Sequence, residues 1–281
     1  MERFRSWLFS PASAARRCLK ALTVGADQVI WDLEDGVPEN QKSEARKQLN
    51  TLVAQLGPEQ MPWVRINSPF SAWGEDDFFH VKSIMAQRPL RLVIPKVDAS
   101  IIRWFEEQNF PAMVQWLLIV ESAKGLWDLL HATSPWFGAK NVRLAFGALD
   151  YQADVGGSID PEETELLMLR QQIVMASRAL GFLAPIDAVY ARFDSTNQVQ
   201  ESARRSRNLG FVGKMVIHPH QIEPVHAAFE PTEQERIWAT KVMQSTSQGG
   251  AINIGGEMID GPLIERARQI LSVPIDPGKN T

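Results

Sequence analysis

The sequence predicts an α/β fold, a single closed (β/α)8 (TIM) barrel followed by a C-terminal helical extension. Eight short runs of β-branched and aliphatic residues alternate with stretches of helical periodicity, the order expected of parallel βα units. The turn after the first run reads Ser10-Pro11-Ala12-Ser13, without the G-x-G-x-x-G of an open, doubly wound nucleotide-binding sheet. Nearly every run ends in a charged or ionisable residue, as an architecture requires when it assembles its site from the C-terminal ends of its strands. A chain of 281 residues with 44% hydrophobic content can fill one large core.

In chain order the expected strands are residues 5–10, 28–34, 62–67, 91–96, 115–121, 141–147, 185–190 and 214–218. The second ends in Asp32-Leu33-Glu34-Asp35, the third in Arg65-Ile66-Asn67, the fourth in Pro95-Lys96 and the fifth in Glu121. The sixth runs into Gly147-Ala148-Leu149-Asp150, the seventh holds Asp187, and the eighth reaches His218-Pro219-His220. Helical periodicity is plainest over 39–55 and over 162–180, where Leu166, Leu169, Ile173, Val174 and Ala176 form an apolar stripe. Residues 221–229 can close the barrel, which places it at 1–230. The remainder, 231–281, is read as an extension: a helix over 232–245 opening on a Thr232/Glu235 capping box, glycine pairs at 249–250 and 255–256, then Asp260 and a helix over 263–271. Asp260 on such a segment suits either a lid over the barrel mouth or a hairpin linker packed outside it.

Charge and composition exclude several classes. The 29 Lys and Arg against 33 Asp and Glu give a net charge of -4, which disfavours a nucleic-acid binder or a polybasic membrane binder. The longest apolar run, Trp116-Leu117-Leu118-Ile119-Val120, falls far short of the ~20 residues of a membrane span, and the N-terminus lacks the apolar core of a secretory signal. With one cysteine, Cys18, no intramolecular disulfide forms, so a cytoplasmic setting is expected, with an Arg- and Ser-rich organellar leader as the alternative. Arg3, Arg5, Arg16, Arg17 and Lys20 make a basic N-terminal edge, read as a solvated helix face or an anion site.

Glu121 follows an apolar run directly, so its carboxylate emerges from a dry barrel at the mouth, where it needs a paired charge or a cation. Asp150, at the end of the neighbouring strand's loop, brings a second carboxylate within reach of one divalent ion. Two carboxylates and several waters suit Mg²⁺. Arg65 and Lys96 add positive charge for a substrate carboxylate or a developing enolate oxygen, the alternative for Arg65 being an ion pair with Asp32, Glu34 or Asp35. His218 and His220 lack the companions of a zinc site, so His218 is read as a loop residue, and no G-x-S-x-G supports a serine nucleophile.

The opening Arg5-Ser6-Trp7-Leu8-Phe9-Ser10-Pro11 resembles the start of the citrate lyase β-subunit-like enzymes of the HpcH/HpaI aldolase superfamily. Further matching stretches are Asp32-Leu33-Glu34-Asp35-Gly36-Val37, Val64-Arg65-Ile66-Asn67, Ile94-Pro95-Lys96-Val97, Val120-Glu121-Ser122, Phe146-Gly147 with Asp150, Gly213-Lys214 through Ile217-His218-Pro219 to Gln221-Ile222, and Met258-Ile259-Asp260. The resemblance implies a Mg²⁺-dependent lyase (Mn²⁺ as a substitute) that acts on acyl-CoA thioesters as a homo-oligomer, a trimer or hexamer. It further implies Glu121 and Asp150 as metal ligands, Arg65 as a substrate contact, Arg16 and Lys20 at the CoA phosphates, and Asp260 as a proton-transfer residue given by a neighbouring subunit. Citramalyl-CoA, cleaved to acetyl-CoA and pyruvate by a retro-Claisen step, is the expected substrate. A citrate lyase β-subunit acting on a citryl thioester, a malyl-CoA lyase and a CoA-independent metal aldolase are the alternatives. Leu149 departs from the pattern, since relatives carry an acidic residue before the metal-binding aspartate.

Overall fold

A computed structural model describes residues 3–57, 60–86, 90–108, 114–132, 141–246, 252–254 and 257–273. It divides into two compact units, Met1–Phe229 and Glu230–Thr281.

The first unit is a closed barrel of eight parallel strands: β1 (Ser6–Pro11), β2 (Gln28–Asp32), β3 (Trp63–Arg65), β4 (Arg91–Ile94), β5 (Gln115–Val120), β6 (Val142–Phe146), β7 (Leu183–Asp187) and β8 (Gly213–Val216). Closure comes from β8 pairing with β1, Trp7 opposite Met215 and Leu8 opposite Val216. Because side chains alternate along a strand, each stave divides its residues between two cores. Trp7, Ile30, Trp63, Val93, Leu117, Ile119, Ala145, Ile186 and Met215 fill the barrel interior, with the Trp7 and Trp63 rings 4.8 Å apart. Their neighbours, among them Leu8, Trp31, Val64, Leu92, Leu118, Leu144 and Val216, face outward under the helices. Carrying the inward alternation forward from Ile30, Trp63 and Ile119 places Asp32, Arg65 and Glu121 at the top of the interior. Polar side chains thus crown an apolar column.

The surrounding helices are α1 (Ala15–Ala21), α2 (Lys42–Ala54), α3 (Gly74–Met85), α4 (Ala99–Glu107), α5 (Ala123–His131), α6 (Ala148–Val155), α7 (Leu167–Ala179), α8 (Thr196–Leu209) and α9 (Ile222–Phe229). Asp98 caps α4 through the Ser100 and Ile101 amides, and Ser122 caps α5 through the Gly125 amide, so both helices start directly above their strands. α7 begins five residues later than the periodicity suggests, because Glu163 adopts a left-handed conformation (φ 56°) and a 3-10 turn, Thr164–Leu166, intervenes. β7 also sits earlier than expected, ending at Asp187 beside a register irregularity against β6. Asp187 points outward, where its carboxylate meets Lys214 (2.7 Å), Arg170 (3.0 Å) and Ser206, all fully or nearly fully buried between strands and helices.

The second unit comprises α10 (Glu233–Thr246), a two-stranded antiparallel pair β9 (Ile252–Ile254) and β10 (Glu257–Ile259), and α11 (Gly261–Ser272). The capping box is in place: Glu235 accepts from the Thr232 amide (2.7 Å) and Thr232 Oγ1 accepts from the Glu235 amide (3.1 Å). Ala239, Val242, Ile259, Ala267 and Ile270 form its core. The glycine pairs at 249–250 and 255–256 lie outside the described residues.

Candidate active site

The C-terminal ends of the strands enclose a cavity of about 360 Å³. Arg65, Glu121 and Asp150 line it together, with Asp32 and Asp35 beside them, so three of the residues singled out from sequence converge on one space. Its remaining wall is largely apolar, from Phe9 and Pro11 of β1 to Ile119, Leu149, Val189 and Met215.

Glu121 is 4% exposed. One of its oxygens accepts the Lys96 amide at 2.6 Å. Burial, and then the negative charges of Glu34 and Asp150, push its carboxyl up to about 8. Gly147 makes the carboxylate's position possible: a Cβ there would lie 2.4 Å from Glu121 Cβ and 2.6 Å from Oε2. Lys96 presents its amide from a left-handed backbone (φ 54°), a conformation that costs a non-glycine residue roughly 1–2 kcal/mol. Its ammonium reaches Glu34 at 2.9 Å.

Arg65 is held on several sides. Its guanidinium forms a bidentate pair with Asp32 (2.7 Å twice), lies 2.9 Å from Glu34 and stacks over the Phe9 ring at 4.7 Å. The ion pair expected as the alternative for Arg65 is present, and the same guanidinium lines the cavity. Asp32 is fully buried, and although burial alone would raise it, Arg65 and the amides of Glu34 and Gly36 hold it below the usual carboxylate range. Glu34 lies on the other side of the balance. Burial, aided by Asp35, raises it in spite of Arg65 and Lys96, and its buried Oε2 lies 2.9 Å from Arg65 Nη1 as an ion pair without hydrogen-bond geometry.

Behind this loop stands Lys42, whose ammonium donates to the Leu33 carbonyl (2.9 Å), the Glu34 carbonyl (2.8 Å) and Asn67 Oδ1 (2.8 Å). Asn67 in turn donates to Leu33 O and to the buried Asp77. Sequence reasoning passed over Lys42 and saw Glu34 only as an ion-pair partner. One signal was available: Lys42 opens α2, the end of a helix where the dipole disfavours a cation unless it has another task.

The donor set fits a hard divalent cation. Along the cavity wall Asp32, Asp35, Glu121 and Asp150 outnumber the cation Arg65, every candidate ligand is oxygen, and among the described residues the Glu121 carboxylate has no cationic partner at hydrogen-bond distance. Among the described residues no group of three or more His, Cys, Asp or Glu side chains forms a preassembled cage, so Glu121 and Asp150 would leave most of the coordination sphere to water and ligand, as suits Mg²⁺.

A second cavity of about 410 Å³ shares Phe9, Pro11 and Ile217 with the first and carries Arg17 and Lys20 on its rim. Arg16 is exposed one position away and does not line it. His218 accepts from the His220 amide and caps the 3-10 turn Pro219–Gln221, in keeping with its reading as a loop residue. Asp260 lies in the second unit, exposed at the N-cap of α11, where it accepts the Leu263 amide.

Comparison with known proteins bears on this site directly. Residues 5–219 match the HpcH/HpaI aldolase/citrate lyase family model. The mitochondrial citramalyl-CoA lyase of Mus musculus is 30% identical, the match covering 96% of this chain and 85% of that protein. The citrate lyase subunit beta of Escherichia coli (strain K12) is also 30% identical, covering 95% of this chain and 92% of that one. Among solved structures, CitE from Mycobacterium tuberculosis in complex with magnesium, acetoacetate and coenzyme A superposes with a TM-score of 0.79 at 29% identity over 96% of this chain and 97% of that one. A barrel with paired carboxylates at its mouth and a family match through all eight strands lead to one conclusion: this chain belongs to the HpcH/HpaI aldolase/citrate lyase family.

Proposed function

We propose that the protein is a Mg²⁺-dependent carbon–carbon lyase that cleaves a 3-hydroxyacyl-CoA, with citramalyl-CoA giving acetyl-CoA and pyruvate as its preferred reaction. The observation that carries this reading is Glu121: a buried carboxylate that lines the mouth cavity with Asp150 and feels the charge of Glu34, in a space that Gly147 keeps open. Relatives named citramalyl-CoA lyase and citrate lyase subunit beta, and a neighbour that binds magnesium and coenzyme A, support it.

In this reading Glu121 and Asp150 hold the ion. When bound, Mg²⁺ supplies Lewis-acid polarisation of the substrate's hydroxyl and carboxylate oxygens. The hydroxyl gives its proton to solvent, its oxygen pair forms the keto group of the product, and the electron pair of the broken bond between the hydroxyl-bearing carbon and the α-carbon passes into the thioester enolate. Arg65, fixed by Asp32, stabilises charge on the enolate oxygen. Asp260, given by a neighbouring copy in a trimer or hexamer, protonates the α-carbon. Lys96 fixes Glu121 through its amide and supplies positive charge at the mouth. Lys20 and Arg17, with Arg16 alongside, hold the CoA phosphates. No described helix is long and apolar enough to cross a membrane, and the buried free thiol of Cys18 suits the reducing cytoplasm to which we assign the enzyme.

The similarity to citrate lyase subunit beta keeps a citryl thioester as the second reading. Citramalyl-, malyl- and citryl-CoA, assayed with and without Mg²⁺ or Mn²⁺, separate the two. Acetyl-CoA is released fastest from citramalyl-CoA and only with metal, and Glu121→Gln lowers turnover by about 10³-fold or more. Unchanged turnover in that variant sinks the assignment.

A further inference from the structure

The mouth cavity opens on two flanks. On one it shares Phe9, Pro11 and Ile217 with the groove that carries Arg17 and Lys20. On the other it shares Ala148, Leu149 and Val189 with a third cavity of about 310 Å³. These shared walls set an order: a cationic groove, the carboxylate-lined mouth, then a third chamber. A thioester whose nucleotide lies over Arg17 and Lys20 and whose hydroxy-acid carbon lies at Glu121 has the third chamber adjoining whatever that carbon bears.

The chamber's chemistry restricts what enters. Its wall adds Gln152, Ile159, Asp160, Glu163 and Tyr190 to the shared residues. Glu163 is saturated, bonded to Arg170, Ser202 and Arg205, and Asp160 bonds Thr164. Arg192, the lining cation, is paired with Asp194. Glu163 is balanced by Arg170 and Arg205, and Arg192 pairs with Asp194 at 3.4 Å, so among the described residues the wall offers an anionic substituent no cation without a carboxylate partner, whereas an alkyl chain meets Leu149, Ile159 and Val189. The space far exceeds a methyl group, which occupies about the ~30 Å³ of one water.

We infer that this chamber is the subsite for the substituent on the hydroxyl-bearing carbon, that it admits neutral alkyl groups longer than methyl, and that Leu149, at the boundary of the two cavities, sets the accepted length. The inference rests on the lyase reading and narrows it toward 3-alkyl-3-hydroxyacyl thioesters and away from carboxymethyl-bearing ones.

The test compares kcat/KM for CoA thioesters carrying methyl, ethyl, propyl or carboxymethyl at that carbon, in wild type, Leu149→Ala and Ile159→Phe. A methylene in an apolar pocket discriminates by about 10-fold or more. Leu149→Ala is expected to raise the propyl-to-methyl ratio about 10-fold, and Ile159→Phe, which adds bulk in the chamber away from Asp150, to lower it by a similar factor. Inhibition constants of pyruvate, 2-oxobutanoate and 2-oxopentanoate are expected to shift in the same order, which separates the subsite from any change in metal affinity. Leu149 is 43% exposed, so its truncation leaves the fold intact and decides alone if Ile159→Phe fails to fold. A ratio that Leu149→Ala leaves unmoved, or a carboxymethyl compound cleaved faster than the propyl one, overturns the assignment. A wild-type enzyme that cleaves no member of the series with Mg²⁺ overturns the lyase reading itself, and the subsite with it.

Discussion

Glu121 carries its charge against burial and two like charges, and its stability signature follows from the sign of that shift. A carboxyl raised from 4.5 to about 8 in the metal-free protein costs nothing below its unfolded value and increasingly destabilises the fold as pH climbs from 4.5 toward 8. Thermal melts of metal-free protein are expected to show a lower Tm at pH 8 than at pH 5, with Glu121→Gln removing most of the difference; an equal slope in the variant contradicts this. Lys42→Met makes a second expectation: it strips two backbone carbonyls and Asn67 of a buried donor and destabilises by about 2–3 kcal/mol in a urea titration. The position of Glu121 and Asp150 at the barrel mouth was legible in sequence because they punctuate apolar runs. The roles of Glu34, Lys42 and Asn67 were not, since their partners lie on other staves and only closure of the barrel brings them together. The left-handed backbone of Lys96 leaves no mark on composition or period at all.

At the scale of elements, β7, α7, α8 and β8 are joined by a buried ion cluster rather than by apolar packing alone. Lys214 and Arg170 outweigh burial and hold the Asp187 carboxyl well below its usual range. A depressed carboxyl lends stability that is complete above its unfolded value and fades as pH falls through the folded one, so acid unfolding draws on this cluster. Asp187→Asn is expected to flatten the acid limb of a stability–pH curve below about pH 4, and Lys214→Met to cost about 3–5 kcal/mol by leaving a buried charge short of a partner. The alternation of strands and helices announced this region, while its boundaries escaped. The segment from Leu183 to Tyr190 is apolar almost throughout, so hydrophobicity cannot say where the strand stops, and only the register against β6 and β8 does.

For the whole molecule, the two compact units divide the proposed labour: metal ligands and anion groove in the first, Asp260 in the second. If Asp260 serves a neighbouring copy, Glu121→Gln and Asp260→Asn, each inactive alone, complement each other when co-expressed. A random mixture in a cyclic oligomer pairs two intact contributors in about one site in four, so activity near 25% of wild type is expected. Activity no higher than the two variants measured separately argues that each chain completes its own site. The number of staves was readable from the order of runs. The flanking cavities were not, because a void has no residue of its own.

The missing Cβ at Gly147 has a consequence for descent as well as for shape. Every substitution of a glycine adds that carbon, and here it would fall 2.4 Å from Glu121 Cβ, far inside van der Waals contact. Gly147 is therefore entrenched: it cannot gain a side chain while any residue with a Cβ stands at 121, and a change there forfeits the carboxylate's seat. Diversification of this site is steered instead to walls that face open space, and Leu149, two residues along the same turn, is where the chain remains free to vary.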